Sequence, residues 1–92
     1  MSEIGAELKI RGMVQGVGYR WFFIHKAGEL GLTGWVKNAR DGSVKALVEG
    51  DRSLVEALIA EARIGPYSAE VTDVDIKWVP YTGRYHGMDV VR

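Results

Sequence analysis

The segment from Gly12 to Arg20 contains the residues of this sequence that are best suited to chemistry. It reads GMVQGVGYR and lies between an apolar strand pattern and an amphipathic helix pattern. Backbone N–H groups in a glycine-containing loop can converge on an anion, and the first turn of a helix adds free donors and a positive dipole end. An arginine at the helix start supplies a planar fork that matches phosphate oxygens. The segment therefore predicts a loop that binds phosphate mostly with its own backbone.

The same spacing is also typical of an ordinary strand-to-helix turn that carries a surface arginine. Short turns with glycine are common, and taken alone they favour this plain interpretation over phosphate binding. The sequence lacks the glycine-rich lysine signature of nucleoside triphosphate loops. If Gly16, Gly18 and Arg20 bind a ligand, the site is sized for one phosphoryl group, with Arg20 as its only charged side-chain contact.

Asn38 is a second candidate, at the end of a predicted strand. It is in phase with Gly34 and Val36, so its side chain is expected on the side of the inward-facing residues. Asparagine is poor in strands and common in turns, so Asn38 could simply cap a hairpin. Its amide could equally hold a water molecule through one acceptor and one donor. The residue alone does not decide between these two roles.

Other polar and aromatic residues give weaker signals. His25 lies about 140° around a helix from Arg20, so it is expected to face solvent away from the site. His86 has no partner at metal-ligand spacing and the sequence has no cysteine, so no metal site is predicted. The aromatic run from Tyr19 to Phe23 is expected to pack in and around the core rather than stack on bases. No pair of carboxylates is placed for acid–base catalysis.

The composition limits the class of protein. The chain has 92 residues, 47% of them hydrophobic, which is normal for one globular domain. Twelve basic and twelve acidic residues give a net charge of zero. Nucleic-acid binders usually carry a basic excess, so this balance argues against one. The sequence shows neither a signal-peptide pattern nor an apolar run of ~18 residues, so a cytoplasmic protein is expected.

Alternating apolar residues predict the strands that would position these side chains. Asp41-Gly42 lies between two such runs and is a strong hairpin signal. Gly50 is expected to end the strand after the hairpin. Val71 is out of phase with the residues after it, which predicts a bulge or a late strand start. The predicted strands are Glu7–Val14, Thr33–Asn38, Ser43–Glu49, Val74–Trp78 and Met88–Val91.

Helical spacing of apolar residues predicts two helices. The first runs from Arg20 to Leu30 and stops at Gly31. The second begins with a capping box at Ser53, for which Asp51 is a competing N-cap, and ends at Gly65-Pro66. The order β-α-β-β-α-β predicts an α+β, ferredoxin-like sandwich with a mostly antiparallel sheet and two helices on one face. The apolar stripe of the second helix consists of Leu54, Val55, Leu58, Ile59 and Ala62.

Two segments resemble the signatures of the acylphosphatase family. Gly12–Arg20 resembles the first signature, and Gly34–Gly50, which reads GWVKNARDGSVKALVEG, resembles the second. Gly65-Pro66 with Ala69 and Val71 is similar to the family's segment after the second helix. The resemblance covers nearly the whole chain, and the two signatures in this order are quite specific. Together they favour the phosphate-binding interpretation of the loop.

The resemblance implies a hydrolase that splits the carboxyl–phosphate bond of acyl phosphates into a carboxylate and inorganic phosphate, without a metal or a cofactor. It assigns phosphate binding to Arg20 and orientation of the attacking water to Asn38. Ala39 and Met88 depart from residues found in some relatives, which bears on rate and stability more than on activity. The backbone amides implied in phosphate binding are those of Gln15, Gly16, Val17, Gly18 and Tyr19.

The implied chemistry fits the residues of the chain. A carboxylate is a good leaving group, so a general acid is not required, and the protein has only to position water and stabilise phosphoryl charge. We expect one domain, residues 1–92, that acts as a monomer on a small-molecule acyl phosphate and has no nucleic-acid or membrane partner. Two alternatives stay open. One is a non-catalytic ferredoxin-like binding module, such as an RNA-binding sheet, and the other is an accessory domain of a larger enzyme.

Overall fold

The computed structural model describes residues 2–92, and these residues form five strands and two helices. Their order confirms the predicted β-α-β-β-α-β succession with a short last strand. Neither helix in this range has the length and apolarity that crossing a membrane would require. The elements are β1 (Glu3–Met13), α1 (Tyr19–Glu29), β2 (Thr33–Asn38), β3 (Val44–Asp51), α2 (Arg52–Ile64), β4 (Glu70–Val79) and β5 (Met88–Val90).

The strands form one sheet in the order β4-β1-β3-β2-β5. β1 lies between β4 and β3 and is antiparallel to both, and β3 is antiparallel to β2. β5 extends the edge of the sheet and runs parallel to β2. The mostly antiparallel, ferredoxin-like sheet predicted from the sequence is therefore confirmed.

Both helices pack on one face of the sheet and share a hydrophobic core with it. α1 buries Tyr19, Phe23 and Ala27, which recur every four residues. α2 buries the stripe predicted for it, apart from Leu54, which stays 38% exposed. The hydroxyl of Tyr19 donates a hydrogen bond to the carbonyl oxygen of Ala62 at 2.7 Å and so joins α1 to α2 inside the core. Burial raises the pKa of this tyrosine.

A bulge interrupts the pairing of β1 with β4, as the phase of Val71 predicted. Arg11 pairs with Asp73 whereas Gly12 pairs with Val71, so Thr72 is the extra residue on β4. A bulge increases the local twist of a strand pair. This one lies near the end of β1, just before the chain enters the candidate phosphate loop.

Three predicted strand boundaries are wrong by two or more residues, and one of them is the start of β4, which lies at Glu70 rather than Val74. β1 begins at Glu3 rather than Glu7, because its first residues already pair with β3. Gly50 does not end β3, which continues to Asp51, because Gly50 still pairs with Ile4 on β1. The ladder between two central strands thus outweighs the local preference of a glycine for a turn.

The capping box predicted at Ser53 does not form, and Asp51, the alternative, is the N-cap of α2. The hydroxyl of Ser53 donates to the carboxylate of Asp51 at 2.5 Å. The carboxylate of Glu56 accepts a hydrogen bond from Arg52, at 3.4 Å, in place of the one a capping box would need. The helix starts earlier than predicted because β3 runs directly into it.

Glu49 is a buried carboxylate that holds the connection between β4 and β5. It is 1% exposed and accepts hydrogen bonds from the N–H and hydroxyl of Thr82, at 3.0 and 2.7 Å, and from the N–H of Gly83, at 3.0 Å. The connection leads to β5, after which the N–H of Val91 donates to the carbonyl oxygen of Val36 at 2.9 Å. These contacts bring the last residues of the chain alongside β2.

Candidate active site

The connection between β1 and α1 adopts a conformation suited to an anion-binding loop. Gly16 and Gly18 have φ angles of 73° and 79°, in the left-handed region that residues with a side chain rarely adopt. Gly18 is the N-cap of α1, and no side chain of the described residues caps that end of the helix. The first helical hydrogen bond runs from the N–H of Phe22 to the carbonyl oxygen of Gly18, at 3.0 Å. The N–H groups of the turn before Phe22 can therefore bind a ligand.

The hairpin after β2 is closed by its own backbone and by two polar side chains. The N–H of Ala39 donates to the carbonyl oxygen of Ser43 at 2.8 Å. The carboxylate of Asp41 accepts hydrogen bonds from the N–H and the hydroxyl of Ser43, at 3.0 and 2.6 Å. Asn38, the last residue of β2, takes part in none of these contacts. The hairpin is thus complete without the side chain of Asn38.

The carboxamide of Asn38 is left with an unused acceptor. Its side chain is half-buried, and within residues 2–92 its Oδ1 atom is buried with no hydrogen-bond partner. A buried acceptor in this state costs about 1–3 kcal/mol unless a water or a ligand donates to it. The Oδ1 atom of Asn38 is therefore an acceptor that a water molecule or a ligand can use.

Lys9 and Asp41 form an ion pair on the outer side of the hairpin, with 2.8 Å between Nζ and the carboxylate. This contact first, and the two hydrogen bonds from Ser43 next, hold the pKa of Asp41 well below its usual range. Both side chains are substantially exposed, so solvent weakens the attraction between them. The consequence is a turn whose carboxylate stays ionised at all ordinary pH values.

A cleft of about 610 Å³ brings the loop and the hairpin together. Arg20, from the first turn of α1, and Asn38, from the end of β2, both line it. Gly16, Gly18 and Tyr19 complete this part of the wall. The residues that sequence reasoning placed in two separate segments therefore share one cavity.

Gln15 and Val17 were also predicted to bind phosphate through their backbone, and they do not belong to the cleft wall. Val17 packs against the hydrophobic core. The side chain of Gln15 reaches the hairpin, where Nε2 donates to the carbonyl oxygens of Ala39 and Ser43 at 2.7 and 2.9 Å. Local sequence patterns do not indicate this side-chain contact, because it joins residues that are far apart in the chain.

The cleft contains further side chains that the sequence did not indicate. Trp21 was expected around the core but is 66% exposed and lines the cleft. Trp21 directly follows Arg20 in the chain, whereas Val90 and Arg92 reach the cleft only because β5 pairs with β2. One of them is a second arginine, so Arg20 is not the only charged side chain there. The additional lining residues are Val14, Ile24, Val90 and Arg92.

Neither histidine lines the cleft. His25 is exposed, as predicted, and its ring centre lies 3.9 Å from that of Trp21. His86 is exposed in the connection before β5. Across residues 2–92, no three His, Cys, Asp or Glu side chains come together as ligands for a metal ion.

Comparison with known proteins identifies the family. The acylphosphatase family profile matches residues 6–90. The acylphosphatase of Thermococcus kodakarensis is 51% identical over 78 residues, which cover 85% of this chain and 86% of that protein. The crystal structure of acylphosphatase from Bacillus subtilis has a TM-score of 0.93 and 30% identity, and the match covers 97% of this chain and 99% of that one. The chain belongs to the acylphosphatase family, which confirms the predicted family, fold and hydrolase class.

The same fold also occurs inside a longer protein. HypF of T. kodakarensis matches 97% of this chain with a TM-score of 0.84 and 30% identity, but the match covers 12% of HypF. The fold thus makes up nearly all of the B. subtilis chain but only a small part of the HypF chain.

Proposed function

We propose that Arg20, Asn38 and the amides of the loop hydrolyse the carboxyl–phosphate bond of acyl phosphates in the cleft. The observation that carries this proposal is the position of Asn38, whose buried Oδ1 has no hydrogen-bond partner among residues 2–92 and which lines the same cleft as Arg20. One side of the cleft offers positive charge and free N–H groups, and the other offers an acceptor for water. This combination suits hydrolysis of a phosphate compound better than binding alone.

Arg20 and the loop hold the phosphoryl group in this proposal. The guanidinium binds two phosphoryl oxygens, and the amides of Gly16, Gly18 and Tyr19, which line the cleft, bind the remaining charge together with the positive end of α1. The left-handed φ angles of Gly16 and Gly18 support this role, because they turn the loop before the helix begins. These donors are fixed before the substrate arrives, so they stabilise the charge of the transition state without reorganising.

Asn38 holds the attacking water because its Oδ1 accepts a hydrogen bond from one O–H group of the water. The water oxygen forms a bond to phosphorus while the bond from phosphorus to the acyl oxygen breaks, and the carboxylate leaves as an anion. An amide is not a base at neutral pH, so a proton of the water passes to a phosphoryl oxygen of the substrate. The products are a carboxylate and inorganic phosphate, and no general acid is needed.

The apolar side of the cleft receives the acyl group. Trp21, Ile24 and Val90 line this side, and Trp21 and Val90 are 66% and 45% exposed. Exposed apolar side chains at a cleft gain stability when a ligand covers them. Acyl phosphates with an aromatic or branched acyl group are therefore suitable substrates.

The proposed reaction requires neither a metal ion nor an organic cofactor, because Arg20 and the loop amides supply the positive charge. We also propose a cytoplasmic monomer that acts on small acyl phosphates and has no nucleic-acid or membrane partner. The equal numbers of acidic and basic residues support the absence of a nucleic-acid partner. Light scattering coupled to gel filtration measures the oligomeric state directly.

A second candidate function is that of a domain that serves a larger enzyme. The match to a 12% portion of HypF favours it, since the same fold is there part of a longer chain. This candidate predicts little turnover by the isolated chain. The first candidate predicts full activity without any partner.

Steady-state hydrolysis of benzoyl phosphate and of p-nitrophenyl phosphate, with and without EDTA, tests the proposal. We expect turnover of benzoyl phosphate only, inhibition by inorganic phosphate, and no effect of EDTA. Loss of turnover in EDTA would contradict the metal-independent reaction. Failure to hydrolyse benzoyl phosphate would favour the accessory role.

A further inference from the structure

The side chain of Gln15 connects the two parts of the candidate site. Its Nε2 atom donates one hydrogen bond to Ala39 O at 2.7 Å and another to Ser43 O at 2.9 Å. These partners lie 24 and 28 residues away in the sequence and stand at the two ends of the hairpin turn. Both amide hydrogens of Gln15 are thus used on the hairpin.

This contact joins segments that the sheet does not join directly. Gln15 precedes Gly16 of the loop, and Ala39 follows Asn38 at the end of β2. β3 separates β1 from β2 in the sheet, so no ladder runs from the strand before the loop to the strand that ends in Asn38. The carboxamide of Gln15 spans this gap with two short hydrogen bonds.

We propose that Gln15 is a positioning residue that fixes Asn38, and the water it holds, relative to the phosphoryl group in the loop. This inference rests on the proposed roles of Arg20 and Asn38. Gln15 does not line the cleft, so it acts through Asn38 rather than on the substrate. A displacement of about 1 Å between reacting groups can lower a rate about 100-fold. The position of one carboxamide is therefore enough to control turnover.

Gln15→Met tests the role, because methionine has a similar length and no N–H to donate. We expect kcat for benzoyl phosphate to fall about 10- to 100-fold, while the inhibition constant of inorganic phosphate changes less than about threefold. Gln15→Asn keeps the amide on a shorter side chain, so its kcat is expected to lie between those of the wild type and Gln15→Met. Asparagine also keeps the site polar, so if Gln15→Met does not fold, kcat and phosphate inhibition of Gln15→Asn test the role instead.

Lys9→Met is the matched control. Lys9 contacts the same hairpin, through Asp41 at 2.8 Å, but from β1 rather than from the loop. Its replacement removes one contact to the turn and leaves Gln15 in place. We expect kcat to stay within about twofold of the wild type, since a surface ion pair contributes little.

A double-mutant cycle with Asn38→Ala separates positioning from a general structural effect. If Gln15 acts through Asn38, then adding Gln15→Met to Asn38→Ala lowers kcat by less than about twofold beyond the effect of Asn38→Ala alone. An independent effect of Gln15→Met in that background would overturn the inference. So would equal losses in kcat and in phosphate inhibition, or wild-type kcat in folded Gln15→Met and Gln15→Asn. Wild-type kcat in Asn38→Ala would show instead that the proposed function of Asn38 fails, and the positioning role with it.

Discussion

Arg20 and Arg92 line the same cleft, although one lies on α1 and the other follows β5. They share this cleft because β5 runs parallel to β2, where Val90 pairs with Val36. Among the described residues, no Asp or Glu side chain belongs to the wall of this cleft. The two guanidinium groups are therefore the charged side chains of the cleft, and their positive charge attracts a phosphate compound.

Arg92→Ala should weaken substrate binding more than it slows the reaction. Arg92 is exposed, so its attraction for a phosphate compound is screened and worth about 0.5–1 kcal/mol. We expect KM for benzoyl phosphate to rise about two- to fivefold, with a weaker dependence of KM on salt concentration. Arg84→Ala, an exposed arginine outside the cleft, is the control. An unchanged KM and salt dependence in Arg92→Ala would show that this side chain does not contact the substrate.

Arg20→Ala should nearly abolish turnover. Loss of a charged contact that strengthens in the transition state costs about 3–4 kcal/mol, which is a decrease of about 100- to 1,000-fold in kcat/KM. Inhibition by inorganic phosphate should weaken in the same variant, because the guanidinium also binds the product. Arg63→Ala, on the exposed side of α2, should keep wild-type kinetics. Near-wild-type activity in a folded Arg20→Ala would exclude the proposed role.

Asn38→Ala should lower kcat while leaving phosphate binding nearly intact. The alanine cannot accept a hydrogen bond from water, so we expect kcat to fall about 100-fold or more. The inhibition constant of inorganic phosphate should change less than about threefold, because Arg20 and the loop are untouched. Stability should not fall, since Oδ1 has no partner to lose within the described chain. Parallel losses in kcat and phosphate inhibition would make Asn38 a structural residue.

Asp41→Asn should remove a pH-dependent contribution to stability. The pKa of Asp41 is lower in the folded protein than its ordinary value because of Lys9 and Ser43. Because the pKa is lowered on folding, ionised Asp41 stabilises the protein at pH values above its unfolded pKa of about 3.9. This stabilisation is lost as the pH falls from there through the pKa of the folded protein. We expect wild type and variant to differ in free energy of unfolding near neutral pH and to converge in strong acid.

Urea titrations followed by tryptophan fluorescence at several pH values measure this difference. Lys9→Met serves as the partner variant, since it removes the first cause of the shift and should show the same convergence. A difference that stays constant down to strongly acid pH would mean that the effect of Asp41→Asn does not come from its charge.

Local patterns were enough to predict most of the fold. Alternating apolar residues predicted a strand over Glu7–Val14, and Leu8 and Ile10 within it are buried. Asp41-Gly42 predicted the hairpin, and the phase of Val71 predicted the bulge in β4. Each of these features depends on neighbouring residues in the chain, so a short window of sequence contains the necessary information.

Long-range contacts explain what local patterns missed. Gly50 was expected to stop a strand, but its pairing with Ile4 on β1 keeps it in the sheet. Trp21 was assigned to the packing of α1, but the surface of that helix beside Arg20 faces the cleft. In both cases the environment is set by another part of the chain, which periodicity does not describe.

The sequence by itself determined the order of elements, the turn chemistry, the glycine loop with Arg20, and the family signature that pointed to Asn38. Only the tertiary structure decided that β3 lies between β1 and β2, that β5 brings Arg92 to the cleft, and that Gln15 bridges the loop to the hairpin. The physical reason is the distance along the chain between the residues that interact. Backbone conformation and amphipathic faces follow from adjacent residues, whereas a cleft exists only after distant segments have paired and packed.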